Sequence, residues 1–270
     1  MYMATKWTSP TWRMPEESNQ SKFENYSLNF DGNTEHINLG DNDIFSFGNG
    51  STDSPFSFFI WAKFGNITTN CFISKQTTGT SNSEYGFTQS GDTIGTTFAE
   101  GVGTRTGYLV SSATVSPSLI TGQWYHIGFT YAGGSNPSTG SIIYVNGVAQ
   151  SMSYTVSSYT AMSNNSAPVK IGELSGGVGT YNFNGDLAQG CFFGYELTQS
   201  QIDYLYNSGT PANPMAISGN APIAYYPLGG SSTGDAAASS PSTLTVPNES
   251  VPSATVFDFE SGDTTFIKAF

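Results

Sequence analysis

The chain has 270 residues, enough for one large domain with arms, and only 10% of them are charged, against about 25% in a typical globular domain. The net charge is −12, and the eight Lys and Arg are thinly spread, so no basic patch exists to neutralise phosphates and a nucleic-acid partner is excluded. No run is apolar enough for membrane insertion. The polar surface must come from Ser, Thr, Asn, Gln and Gly, which favour strands and turns over helices.

Residues 1–26 carry Trp7, Trp12, Pro10 and Pro15 without a sustained period. They read as an extended arm that docks by its aromatic rings, since each indole buries a large apolar area. The start, Met1 to Trp7, lacks the apolar run of a secretory signal. The expectation is a removed leader or another route of release, such as lysis.

From residue 27 short strands alternate with turns. Leu28-Asn29-Phe30 leads into Asp31-Gly32-Asn33, and Ile37-Asn38-Leu39 into Gly40-Asp41-Asn42-Asp43. Phe56 to Phe64 is apolar enough for a central strand. Cys71 to Lys75 and Tyr85 to Thr88 continue the series. In the run Gln123 to Tyr131, period two puts Trp124, His126, Gly128 and Thr130 on one face and Tyr125, Ile127, Phe129 and Tyr131 on the other. Asn146-Gly147 between β-prone runs predicts a tight hairpin, because both turn positions need positive φ. Val169 to Gly172 and Phe183 to Phe193 complete the set.

One helix is predicted. Thr198 caps it, Gln201 closes a capping box, Ile202, Leu205 and Tyr206 form its apolar side, and Gly209 stops it. After residue 213 the character changes. Ala224 to Leu228 is β-like, a small-residue loop follows, and Leu244 to Ser250 faintly echoes Trp12 to Ser18. Residues 213–270 therefore read as an extension that partially repeats the opening, able to complete its own sheet or to lend strands to a neighbour. Cys71 and Cys191 fit either one disulfide or two buried free thiols.

Many turn-punctuated strands with one short helix predict an all-β sandwich or barrel. The ordered set Ser27 to Gly32, Phe56 to Ala62, Trp124 to Ile127, Ile143 to Gly147, Phe183 to Leu187 and Tyr195 to Gly209 resembles the laminin G-like domains of the concanavalin A-like lectin-glucanase superfamily. The resemblance spans residues 27–212 and implies an antiparallel jelly-roll β-sandwich. Trp12 to Pro15 shortly before Tyr26 to Leu28 also resembles virion-associated proteins of tailed phages of marine bacteria.

The superfamily includes glycosidases, whose retaining members hold two carboxylates about 5–5.5 Å apart on one strand face. No Glu-x-Asp-x-x-Glu run occurs; Asp258-Phe259-Glu260 comes nearest, in the wrong order. His126 sits beside Trp124 on a strand, where a hydrogen-bonded packing role is expected. Neither histidine has nucleophile partners.

The resemblance also implies calcium, which takes six to eight oxygens. Asp31, Asp41, Asp43 and Asp186, in or beside turns, are the candidate ligands; Asx-turns are the competing reading of Asp31 and Asp186. Tyr85, Tyr108, Tyr154, Tyr159 and Tyr181 lie in loop-rich stretches with Ser and Asn, a composition suited to glycan recognition.

The expectation is a non-catalytic phage structural and adhesion protein, a capsid decoration or tail component. Trp7 and Trp12 would anchor it to other virion proteins or copies of itself, and the sandwich would face glycans. A secreted, calcium-assisted lectin ranks second and a glycoside hydrolase last.

Overall fold

A computed structural model describes residues 26–33, 35–77, 82–174 and 181–228, with further strands at 233–234, 242–247, 254–259 and 267–268. In chain order the strands begin with β1 (Tyr26–Asp31), β2 (Ile37–Gly40), β3 (Phe56–Phe64), β4 (Thr69–Gln76) and β5 (Ser83–Ser90). Next come β6 (Thr93–Glu100), β7 (Gly107–Thr114), β8 (Trp124–Tyr131), β9 (Ile142–Val145) and β10 (Val148–Ala149). Then follow β11 (Ser153–Ser157), β12 (Val169–Ile171), β13 (Glu173–Leu174), β14 (Tyr181–Asn182) and β15 (Asn184–Phe193). Helix α1 (Gln199–Tyr206) precedes β16 (Ala224–Tyr226), β17 (Thr233–Gly234), β18 (Ser242–Pro247), β19 (Ala254–Phe259) and β20 (Ile267–Lys268).

Two antiparallel sheets form the predicted jelly-roll sandwich. The first runs β10-β9-β8-β3-β15-β1-β20, with β16 beside β15; the second runs β11-β7-β6-β5-β4-β12-β2-β19-β18-β17. Seven residues of β15, Gly185 to Ala188 and Cys191 to Phe193, pair with β3 along one edge, with a bulge between Ala188 and Cys191. Along the other edge, β1 takes Asn184 to Leu187 and β16 takes Gly190 to Phe192. The strands after residue 213 thus join this chain's own sheets, β19 meeting β2 at Phe259↔Ile37 and β20 pairing with β1.

Side-chain alternation decides where the core sits. Phe56, Phe58, Ile60, Ala62 and Phe64 of β3 point between the sheets and meet Tyr125, Ile127, Phe129 and Tyr131 of β8, with Phe72, Tyr85, Phe87 and Phe98 opposite. Rings pack on rings throughout, from Phe47 stacked on Phe56 at 4.0 Å to Phe56 edge-on to Phe129 at 5.2 Å, arrangements that add to plain area burial. The other face of β3 is also covered. Phe59 joins Tyr144, Cys191, Phe193, Leu197, Ile202, Leu205 and Tyr225 beneath α1. Gly128 makes room there, because a Cβ at this position would run into the Phe59 ring.

The predicted hairpin forms, with Asn146 and Gly147 at φ 50° and 78°. The capping box forms as well: Thr198 accepts from the Gln201 backbone N–H while the Gln201 side chain accepts from Thr198 N–H. Helix termination differs from the expectation. The left-handed run begins at Asn207, φ 43°, and continues through Ser208 and Gly209 at 56° and 92°, since asparagine also tolerates that conformation at a helix end. Both cysteines are free and buried.

One outer face of the sandwich is therefore closed by α1. Among the described residues no helix covers the outer face of β4 to β7, which holds the site described next.

Candidate functional site

On the second sheet, Tyr85 and Phe87 point into the core, so Gly86 and Thr88 point out. Ile94 and Phe98 likewise turn Thr97 outward. Cross-strand pairing places Ser74, Gly86, Thr97 and Val110 in one row. Gly86 leaves a dent in that row, and Leu174 lies over it, with Leu174 Cδ1 3.2 Å from where a Cβ would stand. The short hairpin of β13 and β14 walls one side, helped by the Ser74 hydroxyl donating to the Glu173 carbonyl at 2.6 Å. Arg105, in the loop between β6 and β7, walls another side.

The result is a groove of about 220 Å³ lined by Gln76, Gly86, Thr88, Thr97, Arg105, Leu174 and Tyr181. The Arg105 guanidinium lies over the Tyr108 ring, 5.2 Å from its centroid, a cation–π arrangement that fixes the group and leaves its N–H edges available. Among the described residues, the side chains of Thr88, Thr97, Arg105 and Tyr181 form no hydrogen bond with the protein. The groove thus offers hydroxyls, one guanidinium and one phenol ring to whatever enters.

A second concavity of about 280 Å³ lies between the 115–123 loop and the β9–β10 hairpin. Its mouth is apolar, with Ile120 58% and Val148 63% exposed. Its polar groups are largely engaged: Asn146 accepts from His126 N–H, Tyr125 accepts from Ile120 N–H, and Gln150 donates to the Val148 carbonyl. The smaller groove is the better candidate for a polar ligand because Thr88, Thr97, Arg105 and Tyr181 remain unpaired in it.

The five candidate tyrosines separate. Tyr181 lines the groove and Tyr108 supports Arg105. Tyr154 lies on the edge strand β11, away from the groove. Tyr85 and Tyr159 correct the surface expectation, since both are core residues, 1% and 4% exposed. Burial raises the Tyr85 hydroxyl's pKa well above the ordinary phenol range. Tyr159 donates to Asp53 Oδ2 at 2.6 Å, beside Tyr131 donating to the same oxygen at 2.7 Å, while Met162 N–H reaches Oδ1 at 2.8 Å. That cluster ties the 159–162 segment to the loop before β3. Burial outweighs these bonds and raises the Asp53 carboxyl's pKa.

The four candidate calcium ligands also separate. Asp31 closes an Asx-turn, accepting from Asn33 N–H at 2.7 Å. Asp186 holds Lys63 at 2.5 Å and accepts from the Asn29 amide at 2.7 Å. Asp43 accepts from the Asn164 amide at 3.3 Å. Asp41 belongs to a cage of four oxygens around the fully buried Lys75 ammonium. Asp41 Oδ1 stands 2.8 Å from Nζ, Glu84 Oε1 3.1 Å, and the carbonyls of Asn165 and Ala167 3.0 and 2.7 Å. Two carboxylates and two carbonyls form a donor set that would suit calcium, but the ammonium already occupies its centre. Among the described residues no three His, Cys, Asp or Glu side chains converge as a metal site. As they stand, these aspartates do not fit a calcium ion.

His126 corrects the hydrogen-bonded expectation in part. It stacks on Phe59 at 5.2 Å and lies near Trp61 and Tyr206 beneath α1, and its Nδ1 has no hydrogen-bond partner. Burial lowers its pKa to about 3, so the ring is neutral. Trp7 and Trp12 lie outside the described residues.

Gln76, Thr88, Thr97, Arg105 and Leu174 were not singled out from the sequence. A signal was available for two of them: Thr88 and Thr97 alternate with buried residues, which marks an outward sheet face. Nothing in the sequence places Arg105 beside Tyr181.

A model of the concanavalin A-like lectin/glucanases superfamily, of laminin G type, matches residues 31–203. No curated protein matches the chain. Among solved structures, one described as a carbohydrate binding protein from Bacteroides ovatus ATCC 8483 is 17% identical at a TM-score of 0.49, covering 90% of this chain and 59% of its own. The chain thus spans 59% of that protein's length. A heptameric SAP-like pentraxin from Limulus polyphemus is 13% identical at 0.45, covering 87% and 95%. The CBM40 of Ruminococcus gnavus IT-sialidase is 10% identical at 0.47, covering 66% and 94%.

Proposed function

The chain belongs to the concanavalin A-like lectin/glucanases superfamily, and from that premise we propose that it is a non-catalytic module that binds a glycan across the groove on β4, β5 and β6. The carrying observation is the set of unpaired polar side chains, Thr88, Thr97, Arg105 and Tyr181, on the face that no helix covers among the described residues. A sugar presents hydroxyls that hydrogen-bond such groups and C–H faces that pack on an aromatic ring. Among the described residues the groove's lining contains no Asp or Glu, so it can hold a sugar but shows no acid pair to cleave one. In this reading binding does not rely on calcium: Asp41 and Asp186 are paired with Lys75 and Lys63, and no candidate carboxylate lines the groove.

The setting we propose is the surface of a phage particle, where the module acts in adhesion beside other virion proteins or copies of itself. Only the resemblance of the Trp12 to Leu28 stretch supports that setting. Finding the chain by mass spectrometry in purified particles tests it; a chain found only as free secreted protein overturns it.

The binding reading is tested on a glycan array with the wild type and with Tyr181→Ala and Thr97→Val. The expected result is retention of a defined glycan set by the wild type, loss of it by Tyr181→Ala and weakening by Thr97→Val, all with unchanged circular dichroism. Retention by both variants would move the site elsewhere. Release of reducing ends from any retained polysaccharide would overturn the non-catalytic assignment.

A further inference from the structure

In this acidic chain Lys63, Lys75 and Lys170 each have a carboxylate partner. Lys63 pairs with Asp186, Lys170 with Glu173, and Lys75 with both Asp41 and Glu84. Arg105 differs. Its guanidinium lies over the Tyr108 ring, 5.2 Å from the centroid, and no described carboxylate pairs with it. The acid at the end of β6, Glu100, is directed elsewhere, accepting from Thr160 N–H at 2.7 Å. Glu173, on the flanking hairpin, is taken up by His36 and Lys170 at 2.8 and 2.9 Å.

A cation left without an acid, held on a ring and edging a groove of hydroxyls, is arranged to meet a ligand's anion. From this we infer that the groove's glycan carries a carboxylate and that Arg105 is the residue that selects it. The inference rests on the glycan reading of the same groove.

The chemistry narrows the anion. A guanidinium offers a planar fork, and a carboxylate accepts it through two parallel hydrogen bonds. Stacking on Tyr108 restricts the fork's orientation and reduces what must be ordered on binding. The groove contributes one positive charge and no second. A chain of net charge −12 repels densely charged polymers at long range, so the fitting ligand carries one isolated acidic sugar among neutral ones. Thr88 and Thr97 then address its hydroxyls and Tyr181 its ring face.

The test uses matched oligosaccharides by isothermal titration: 3′-sialyllactose against lactose, oligogalacturonate against its methyl ester, and sulfated lactose as a third arm. The proteins are the full chain, Arg105→Gln, Arg105→Lys and Tyr181→Ala. The wild type is expected to bind one carboxylated member about ten-fold or more tighter than its neutral partner, which is the range for a charge-assisted hydrogen bond. Arg105→Gln brings the acidic member's affinity down to that of its neutral partner, Arg105→Lys restores only part of the difference, and Tyr181→Ala weakens both members.

Equal binding of acidic and neutral members, still lost in Tyr181→Ala, overturns the carboxylate assignment while the groove stands. Preference for the sulfated arm overturns it too. Binding that none of the variants alters removes the groove itself, and no binding to any probe by the wild type overturns both readings.

Discussion

Lys75 and Arg105 carry the same charge and flank the same sheet, yet the protein surrounds them in opposite ways. Lys75 is fully buried, with two carboxylates and two carbonyls around its ammonium. Arg105 lies on the surface with one aromatic ring beneath it. A charge taken out of water must be matched by oxygens on every side, or its desolvation would unfold the site. A charge left at the surface carries little of that cost and stays available. The first arrangement closes a rim of the sandwich; the second leaves an edge of the groove open. Polar groups of one chemical kind therefore divide by burial into structural and recognition roles.

Removing the buried charge should break this comparison most sharply. Lys75→Met leaves Asp41 and Glu84 without their cation and is expected to cost about 3–5 kcal/mol in urea unfolding. The Glu84 carboxyl, which burial already pushes up to about 7, would then retain its proton to still higher pH. In the wild type, calcium and chelator should leave the melting temperature equal; a calcium-induced rise would show that the Lys75 cage does not stand in for the ion.

His126 gives the next largest effect. Its folded-state pKa of about 3 lies below the ordinary value of 6.5, so the unfolded chain binds the extra proton between those values. Stability from the neutral ring is therefore full above about pH 6.5 and is lost as pH falls toward 3. Measured against His126→Phe, wild-type stability should fall by about 2–3 kcal/mol between pH 6.5 and 4.5. A constant difference across that range would place the ring in solvent.

Tyr159→Phe removes one of three hydrogen bonds to Asp53 and should cost about 1–2 kcal/mol. A neutral result would return Tyr159 to the surface role expected from the sequence.

The smallest stability effects belong to the groove. Arg105→Gln and Thr97→Val should each change unfolding free energy by no more than about 0.5 kcal/mol while altering ligand retention. A larger loss would make these residues structural and erase the distinction between the two regions.

Much of the fold was legible because its signals are local. The two faces of β8, the Asn146-Gly147 hairpin and the Thr198 capping box each depend on residues within one turn or one period of each other, and each forms as the sequence implied. The site was less legible. Tyr159 sits in a stretch that looks like a loop and Tyr85 at the start of a predicted strand beside one, but the core claims both because a phenol ring fits an aromatic interior when its surroundings allow. Asp41 sits in a turn suited to a metal, and only the arrival of Lys75 from β4 decides that an ammonium fills the place.

By itself, the sequence determined the all-β class, the direction in which strand residues point and the one helix, because periodicity and turn chemistry act over a few residues. The choice of a sandwich over a barrel came with the resemblance to laminin G-like domains. The tertiary structure decided which outer face α1 covers, which tyrosines reach the surface and that Arg105 meets Tyr181 across a glycine dent. Those outcomes depend on strand order and on residues about 75 positions apart along the chain, pairings that loop closure and core packing select together.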